Sequence, residues 1–308
     1  MILGIDTSNY TTSAAVFDTA DGVAYNFKKP LPVKSGERGL RQSDAVFHHT
    51  ENLPQVISAA LEQVDEVNAI GVSVRPRDLD GSYMPWFRSG LTAAAIISAS
   101  VKAPIFEFSH QAGHIAAALY SANRLDLINE QFVAFHFSGG TTEAVLVSPD
   151  RSNVFRCEII SSSLDLKAGQ AIDRCGVMLG LDFPAGPALE RLALSCKKTF
   201  KLKPVLRDGN PSLSGIENKF KRMYSDSQSP NEIARFVIEY VAAVALSMTD
   251  YICSQYGALP IVYAGGVMSN SIIKRRLCAR NRYFAEPQFS SDNATGAALL
   301  AAVKLGVI

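Results

Sequence analysis

The chain opens on a short apolar run, ILGID, which stops at Asp6 and gives way to the polar stretch TSNYTT. A second run, SAAVFD, and a third around VAYNF follow, each bounded by turn-forming residues, so the pattern predicts three short strands joined by tight turns. The same arrangement returns from Phe132, as strand FVAFHF, turn SGGTT, strand EAVLVS and a third strand near NVFRCEII. Order, turn chemistry and spacing match, which identifies an internal repeat of supersecondary structure.

The rest of each half extends the repeat. AIGVSV leads through a helix to strand IFEFS and helix HQAGHIAAALY, and IVYAGG leads through a helix to RYFAEP and helix NATGAALLAAVKL. A meander feeding parallel strands with helices between them predicts two α/β lobes on mixed sheets, facing each other across a central cleft. The expected lobes are residues 1–130, with the C-terminal helix 293–308 packing back on them, and residues 131–292. Within the second lobe, 189–223 reads as a helical insertion with surface loops. From Asn231 to Tyr256, Ile233, Phe236, Val237, Tyr240, Val241 and Val244 recur at helical spacing and predict one long buried helix.

A length of 308 residues suits two domains, and 47% hydrophobic with 19% charged residues favours packed globular structure over disorder. The net charge of +1 singles out no partner. The five cysteines are widely spaced and include no CxxC pair, which argues against a disulfide framework or zinc ribbon and for a reducing compartment. No basic segment precedes the first apolar run, and stretches such as VAAVALSM fall short of the ~20 residues a membrane helix needs. The expectation is a cytoplasmic protein without a membrane partner.

Two glycine turns carry candidate chemistry. Ser138, Gly139, Gly140, Thr141 and Thr142 join two strands, where amides and hydroxyls can cradle an anion or form a plain hairpin turn. Gly265 and Gly266 follow strand IVYA and precede a helix near Asn270, which aims free amides at a nucleotide. Asp173, read as lying near a helix start, offers an acceptor for ribose or adenine, and Gly186 precedes a further helix. His110 and His114 stand four residues apart on one helix face, the separation at which two imidazoles share a metal. By the internal symmetry Asp292 opens the equivalent helix of the second half, and two His with one carboxylate suit Fe(II) or Zn(II). His136, on the strand before the SGG turn, is a candidate fourth ligand.

In combination these motifs resemble the universal tRNA threonylcarbamoyladenosine synthase family, formerly described as O-sialoglycoprotein endopeptidases. HQAGH resembles its metal-binding HxxxH, SSDNATGAA its TDN segment, FSGGTTEAVL its SGGxTxL turn, and GQAIDRCGVMLGLDFPAGP its GEAFDK, LGL and YPGGP run. NPSLSGIENKF and YAGGVMSNS are similar to its FSFSGLK and GGVxAN segments. The resemblance implies two duplicated RNase H-like lobes of the actin, Hsp70 and sugar-kinase (ASKHA) superfamily around a cleft. It implies metal at His110, His114 and Asp292, with His136 where some members carry Tyr. It also implies an ATP or adenylate site made by His136, Phe137, Ser138, Gly139, Gly140, Asp173, Gly186, Gly265, Gly266 and Asn270. The family reaction moves a threonylcarbamoyl group from an adenylate to an adenosine amine in tRNA, which assigns no catalytic residue here by itself.

Three segments depart from the family. DTSNYTT stands in place of ETSCDET, so Asn9, Tyr10 and Thr11 replace a stretch that normally supplies acids to the cleft; Gln170 stands in place of the Glu of GEAFD; and RPRDLDGSYMPWFRSG replaces a Gly-rich PGLxGSL loop. An amide cannot act as a general base. The expected function is therefore a divergent metal-dependent acyltransferase with tRNA as the leading acceptor. Lys197, Lys198, Lys201, Lys203, Lys219, Lys221, Arg222, Lys274, Arg275 and Arg276 form a candidate phosphate-binding patch, and accessory proteins of the tRNA-modification system are candidate partners. The alternatives are a non-catalytic nucleotide-binding regulator of a genuine synthase, a carbamoyltransferase with a small-molecule acceptor, or a small-molecule kinase.

Overall fold

The computed structural model describes residues 1–8, 10–32, 40–290 and 294–308. The chain divides into two compact units, Met1–Ile128 with Pro149–Arg156 and Ser291–Ile308, and Asn129–Ser148 with Cys157–Ser290.

The first unit is built on strands β1 (Ile2–Asp6), β2 (Thr11–Phe17), β3 (Ala24–Pro30), β4 (Ala69–Arg75) and β5 (Ile105–Ser109). They lie in the order β3-β2-β1-β4-β5, with β1, β2 and β3 antiparallel and β1, β4 and β5 parallel. Side chains alternate between faces along a strand. Leu3, Ile5, Ile70 and Val72 pack in one core with Leu53, Val56 and Ala60 of α1 (Gln42–Leu61) and Ala94 of α2 (Phe87–Val101). The opposite face takes α3 (His110–Ser121) and α9 (Thr295–Leu305), which pack against each other and against β4. Gly4 and Gly71 pair in register on that face, and a Cβ on Gly71 would lie 1.9 Å from the Ala297 carbonyl oxygen. Glycine there lets α9 settle directly on the sheet backbone.

The second unit repeats the design. Strands β6 (Phe132–Phe137), β7 (Thr142–Asp150), β8 (Val154–Ser162), β11 (Ile261–Ala264) and β12 (Arg282–Phe284) lie in the order β8-β7-β6-β11-β12, the same connectivity as the first sheet. The duplication expected from the turn and strand pattern is thus present at the level of topology. A small hairpin, β9 (Leu206–Arg207) and β10 (Asn210–Pro211), lies apart from the main sheet. Around the main sheet stand α4 (Ala168–Met178), α5 (Gly186–Leu194), α6 (Ser214–Ser225), α7 (Pro230–Tyr256) and α8 (Ser271–Leu277).

The long helix expected from Asn231 to Tyr256 by its apolar spacing is α7, which starts at an N-cap Ser229 with Pro230 behind it. By length and composition alone it meets the criterion for a membrane span, but 72% of its most apolar window is buried in the protein, where it forms the core of the unit. Its buried Glu239 is held by Arg235 at 2.7 Å and Arg276 at 3.4 Å, which pairs a charge that burial alone would penalise. The 189–223 stretch is more than surface: Leu213, Ile216 and Phe220 are fully buried in this core.

Because Gly71 meets backbone, Gly71→Ala is expected to destabilise the protein by about 1–3 kcal/mol through overpacking. Gly215→Ala, where a Cβ meets nothing within 4 Å, is expected to be neutral or to stabilise by up to about 1 kcal/mol. The urea denaturation midpoint should therefore fall below the wild-type value for Gly71→Ala and stay at or above it for Gly215→Ala.

Candidate functional site

Strands β6 and β11 run parallel, with Tyr263 opposite Phe135 and Ala264 opposite His136, so both glycine turns leave the sheet side by side. Ligands of open α/β sheets bind outside such carboxyl ends. Gly265 has φ of +93°, and a Cβ on it would lie 2.3 Å from the Phe137 carbonyl oxygen. Only glycine fits that turn.

These turns border a cavity of about 320 Å³ lying wholly in the second unit. That volume is at the small end of the range for ligand pockets, roughly 300–1,000 Å³. Of the residues singled out from the sequence, Ser138, Gly139, Asp173, Gly186, Gly266 and Asn270 line it. Phe137 is fully buried in the core, so its side chain serves packing, and Gly140 and Gly265 shape the turns without lining the cavity. Half-buried His136 lies next to them on β6.

The turn amides are used differently from the sequence expectation. Gly140 and Thr141 donate to Ser138 Oγ at 3.3 and 3.1 Å. At α8 the amides of Ile272 and Ile273 donate to Asn270 Oδ1, and Ser271 donates through its amide to Glu190 Oε1 at 2.7 Å. The expectation of free amides at this helix start is corrected: Asn capping and Glu190 occupy all three. Among the described residues the amides of Gly139 and Gly266 meet no acceptor, and both residues line the cavity.

Asp173 also differs from its reading as a helix-start residue. Helix α4 begins at Ala168, which puts Asp173 in its second turn, where Oδ1 accepts from the Ala185 amide at 2.9 Å. This bond ties the start of α5, and with it Gly186, to the same wall. Burial raises the Asp173 pKa above the ordinary 3.8, and the Ala185 amide offsets part of that rise. Cys175, two residues further along, is fully buried with its thiol pushed up to about 12, which makes it a packing residue rather than a nucleophile.

Sequence reasoning passed over Glu190 and Ser269, which also line the cavity. Ser269 Oγ is buried and has no hydrogen-bond partner among the described residues. Its neighbour Asn270 drew attention because it precedes a helix, and no local pattern marks Ser269. Gln170, in place of the family Glu, is exposed, and its Oε1 accepts from the Lys167 amide at 3.3 Å in a capping arrangement at the start of α4.

In the first unit, β5 ends at Ser109, whose Oγ caps α3 by accepting from the Ala112 amide and donates to Asp78 Oδ2 at 2.8 Å. Arg75 holds the other Asp78 oxygen at 2.7 Å. The charged RPRDLDG stretch thus fixes the first turn of α3, on which His110 and His114 lie with ring centroids 4.2 Å apart. Asp6, at the end of β1, places Oδ2 2.7 Å from His110 Nδ1. The paired imidazoles, one bearing a carboxylate partner, are a donor set that fits a borderline metal ion. Among the described residues no group of three or more His, Cys, Asp or Glu is arranged to hold one. Asp292 and Asn9, both singled out from the sequence, lie outside the described residues.

Several cations of the candidate phosphate patch are engaged locally. Lys221 pairs with Glu217 at 2.7 Å, Lys198 with Glu232 at 3.4 Å and Arg276 with Glu239 at 3.4 Å. Lys219 and Lys274 lie over the rings of Tyr240 and Phe284.

Two sheets of the same strand order, each with its helices, define an ASKHA-type α/β protein. Solved structures agree at the level of fold. T. kodakarensis HypF gives a TM-score of 0.62 at 12% identity, covering 99% of this chain and 47% of that one. The ADPNP-bound activator of 2-hydroxyisocaproyl-CoA dehydratase from Clostridium difficile gives 0.52 at 12% identity, covering 99% and 95%. This chain spans about half the length of HypF. The TsaD family model, tRNA N6-adenosine threonylcarbamoyltransferase, matches residues 26–299, and the chain belongs to that family. A tRNA N6-adenosine threonylcarbamoyltransferase of Chloroherpeton thalassium is 30% identical, covering 98% of this chain and 92% of the relative. One from Sulfurihydrogenibium sp. (strain YO3AOP1) is 28% identical, covering 89% and 80%.

Asp173→Asn keeps an acceptor for the Ala185 amide and removes a desolvated charge. The wild-type carboxyl keeps its proton in the folded state at pH values where the unfolded chain has lost it. Stability from this group therefore declines as pH rises from the ordinary carboxylate range through the raised folded value. The variant should be at least as stable as wild type at neutral pH and show a flatter acid-side profile in thermal melts from pH 4 to pH 7, taking the ordinary carboxylate pKa as about 4.

Proposed function

We propose that this protein is a divergent acyltransferase that moves a carbamoyl-type group, with threonylcarbamoyl the leading candidate, from an adenylate to an acceptor amine, with tRNA adenosine the leading acceptor. The observation that carries the reading is the cavity at the ends of β6 and β11, lined by Asp173, Gly186 and Asn270, in a chain of the TsaD family. Asp173 supplies an anionic acceptor for ribose hydroxyls, and the Gly139 and Gly266 amides supply donors for a phosphate or carbonyl oxygen.

His110 and His114 would hold iron or zinc, with Asp292 and His136 as the candidate remaining ligands. A metal so bound would act as a Lewis acid on the carbonyl group. The remaining steps fall to the chain. The acceptor nitrogen attacks the carbonyl carbon, the bond from that carbon to the phosphate oxygen breaks and AMP leaves, and the proton of the nitrogen must pass to a base. Gln170 cannot take it. Lys197, Lys201 and Lys203, exposed on the 189–223 stretch, are the leading contacts for RNA phosphates, and accessory tRNA-modification proteins are the candidate partners.

Gln170 also favours a second reading, a nucleotide-binding partner of a genuine synthase that has lost the chemistry. The two readings differ in whether any product forms.

Expressed in cells depleted of their own synthase, the protein should restore the threonylcarbamoyl modification only partly, as read by nucleoside mass spectrometry. A missing general base costs ~10² to 10⁴ in rate. Gln170→Glu, which retains an acceptor for the Lys167 amide, should raise the yield. Full restoration by the wild type would sink the divergent reading, and no product from either form would favour the partner reading.

ATP is expected to bind the wild-type protein in isothermal titration calorimetry, and Asp173→Asn should weaken it roughly 10- to 100-fold, the range for losing a hydrogen bond to a charged group. Unchanged affinity would remove Asp173 from the nucleotide site.

A further inference from the structure

We propose that Asp6 is the positioning residue of the histidine pair: its carboxylate holds the proton of His110 on Nδ1 and so presents Nε2 as the nitrogen that can bind a metal. The inference rests on the reading of His110 and His114 as metal ligands, and extends it to a residue in a different element.

Asp6 is 2% exposed and lies at the end of β1, with each of its carboxylate oxygens engaged. Oδ1 accepts from the Ser8 amide at 2.8 Å. Oδ2 accepts from Ser73 Oγ at 3.0 Å and faces His110 Nδ1 at 2.7 Å. A backbone amide is an obligatory donor, so the Ser8 contact pins one oxygen in place. Ser73 comes from β4, the strand paired with β1, and fixes the second oxygen from the side. The carboxylate is therefore oriented by the sheet, independently of the histidine it meets.

A carboxylate only accepts hydrogen bonds. In a neutral His110 ring the nitrogen facing it must carry the proton, which leaves the lone pair on Nε2. The same contact fixes the ring plane. The ring centroids of Phe87 and His114 lie 6.3 and 4.2 Å from that of His110, so the ring has defined aromatic neighbours. A second group that orients a ligating imidazole is a recurring support of metal sites. Here it is supplied by the first strand of the unit, over a hundred residues before the helix it serves, since Asp6 and His110 are 104 positions apart.

Asp6→Asn separates this role from simple packing, because it keeps shape while changing the hydrogen-bond sense. The amide oxygen must remain opposite the Ser8 N–H, which turns the Nδ2 donor toward His110. Ser73 Oγ can reverse to accept from it. His110 Nδ1 then becomes the acceptor and the proton moves to Nε2, the nitrogen that the wild type offers to metal.

The experiment uses the full chain, stripped of metal with a chelator and labelled with ¹⁵N-histidine, with the His110 signals assigned from His110→Gln. In long-range ¹H–¹⁵N spectra at alkaline pH, where the ring is neutral, wild-type His110 should carry its proton on Nδ1 and Asp6→Asn should carry it on Nε2. Titration with Zn²⁺ alone, followed by competition with a chromogenic chelator, should show affinity reduced roughly 10- to 100-fold in Asp6→Asn. Wild-type His110 found as the Nε2–H tautomer overturns the proposal, and that result needs no variant to fold. The same holds if Asp6→Asn folds and keeps both the Nδ1–H tautomer and wild-type Zn²⁺ affinity. If the wild type takes up no Zn²⁺ but shows the Nδ1–H tautomer that switches in Asp6→Asn, the positioning stands and the metal reading fails.

Discussion

Close contact between α9 and the first sheet is the constraint on which the N-terminal unit depends. Helix α9 comes from the far end of the chain, yet it lies directly on β1 and β4 and against α3. Its inward face is small, with Ala297, Ala298 and Ala301 buried, and the strands answer with Gly4 and Gly71. Larger side chains at this seam would lift the helix off the sheet. Because α3 packs on α9, that lift would also displace His110 and His114 relative to Asp6 on β1. The geometry of the imidazole pair thus rests on an interface built largely of alanine and glycine.

The second unit balances stability against a binding surface in a different way. Its core is generous: α7 is buried along most of its length, and Phe135, Phe137 and Tyr263 fill the space under the helices. Such a core tolerates a carboxylate whose burial is unfavourable, Asp173, and a buried hydroxyl with no partner among the described residues, Ser269. Both line the same cavity. Polar groups left short of partners in a cavity wall are what a polar ligand would satisfy, and their cost to the empty protein is a form of preorganisation.

The departures from the family acquire structural roles. The charged stretch in place of a Gly-rich loop builds the Arg75–Asp78–Ser109 chain that caps α3. Gln170 takes part in capping α4. These contacts organise the starts of α3 and α4, the helices that carry His110, His114 and Asp173.

The repeat was legible in the sequence because strand periodicity and turn residues are local properties: FVAFHF and the SGG turn mirror ILGID and its polar turn without reference to anything distant. The His110 and His114 spacing was legible for the same reason, since helix geometry alone sets it. Other features depended on tertiary structure. That Asn270 and Glu190 consume the α8 amides follows from α5 and α8 meeting, 81 positions apart in the Glu190–Ser271 contact. That Asp173 sits within α4 rather than at its start depends on where Lys167 leaves the extended conformation. Most of all, the pairing of Asp6 with His110 joins the end of one strand to the start of a helix through a parallel sheet. A sequence specifies which residues can donate and accept; only the packing of β1 beside β4, with α3 held by α9, decided which of them would meet.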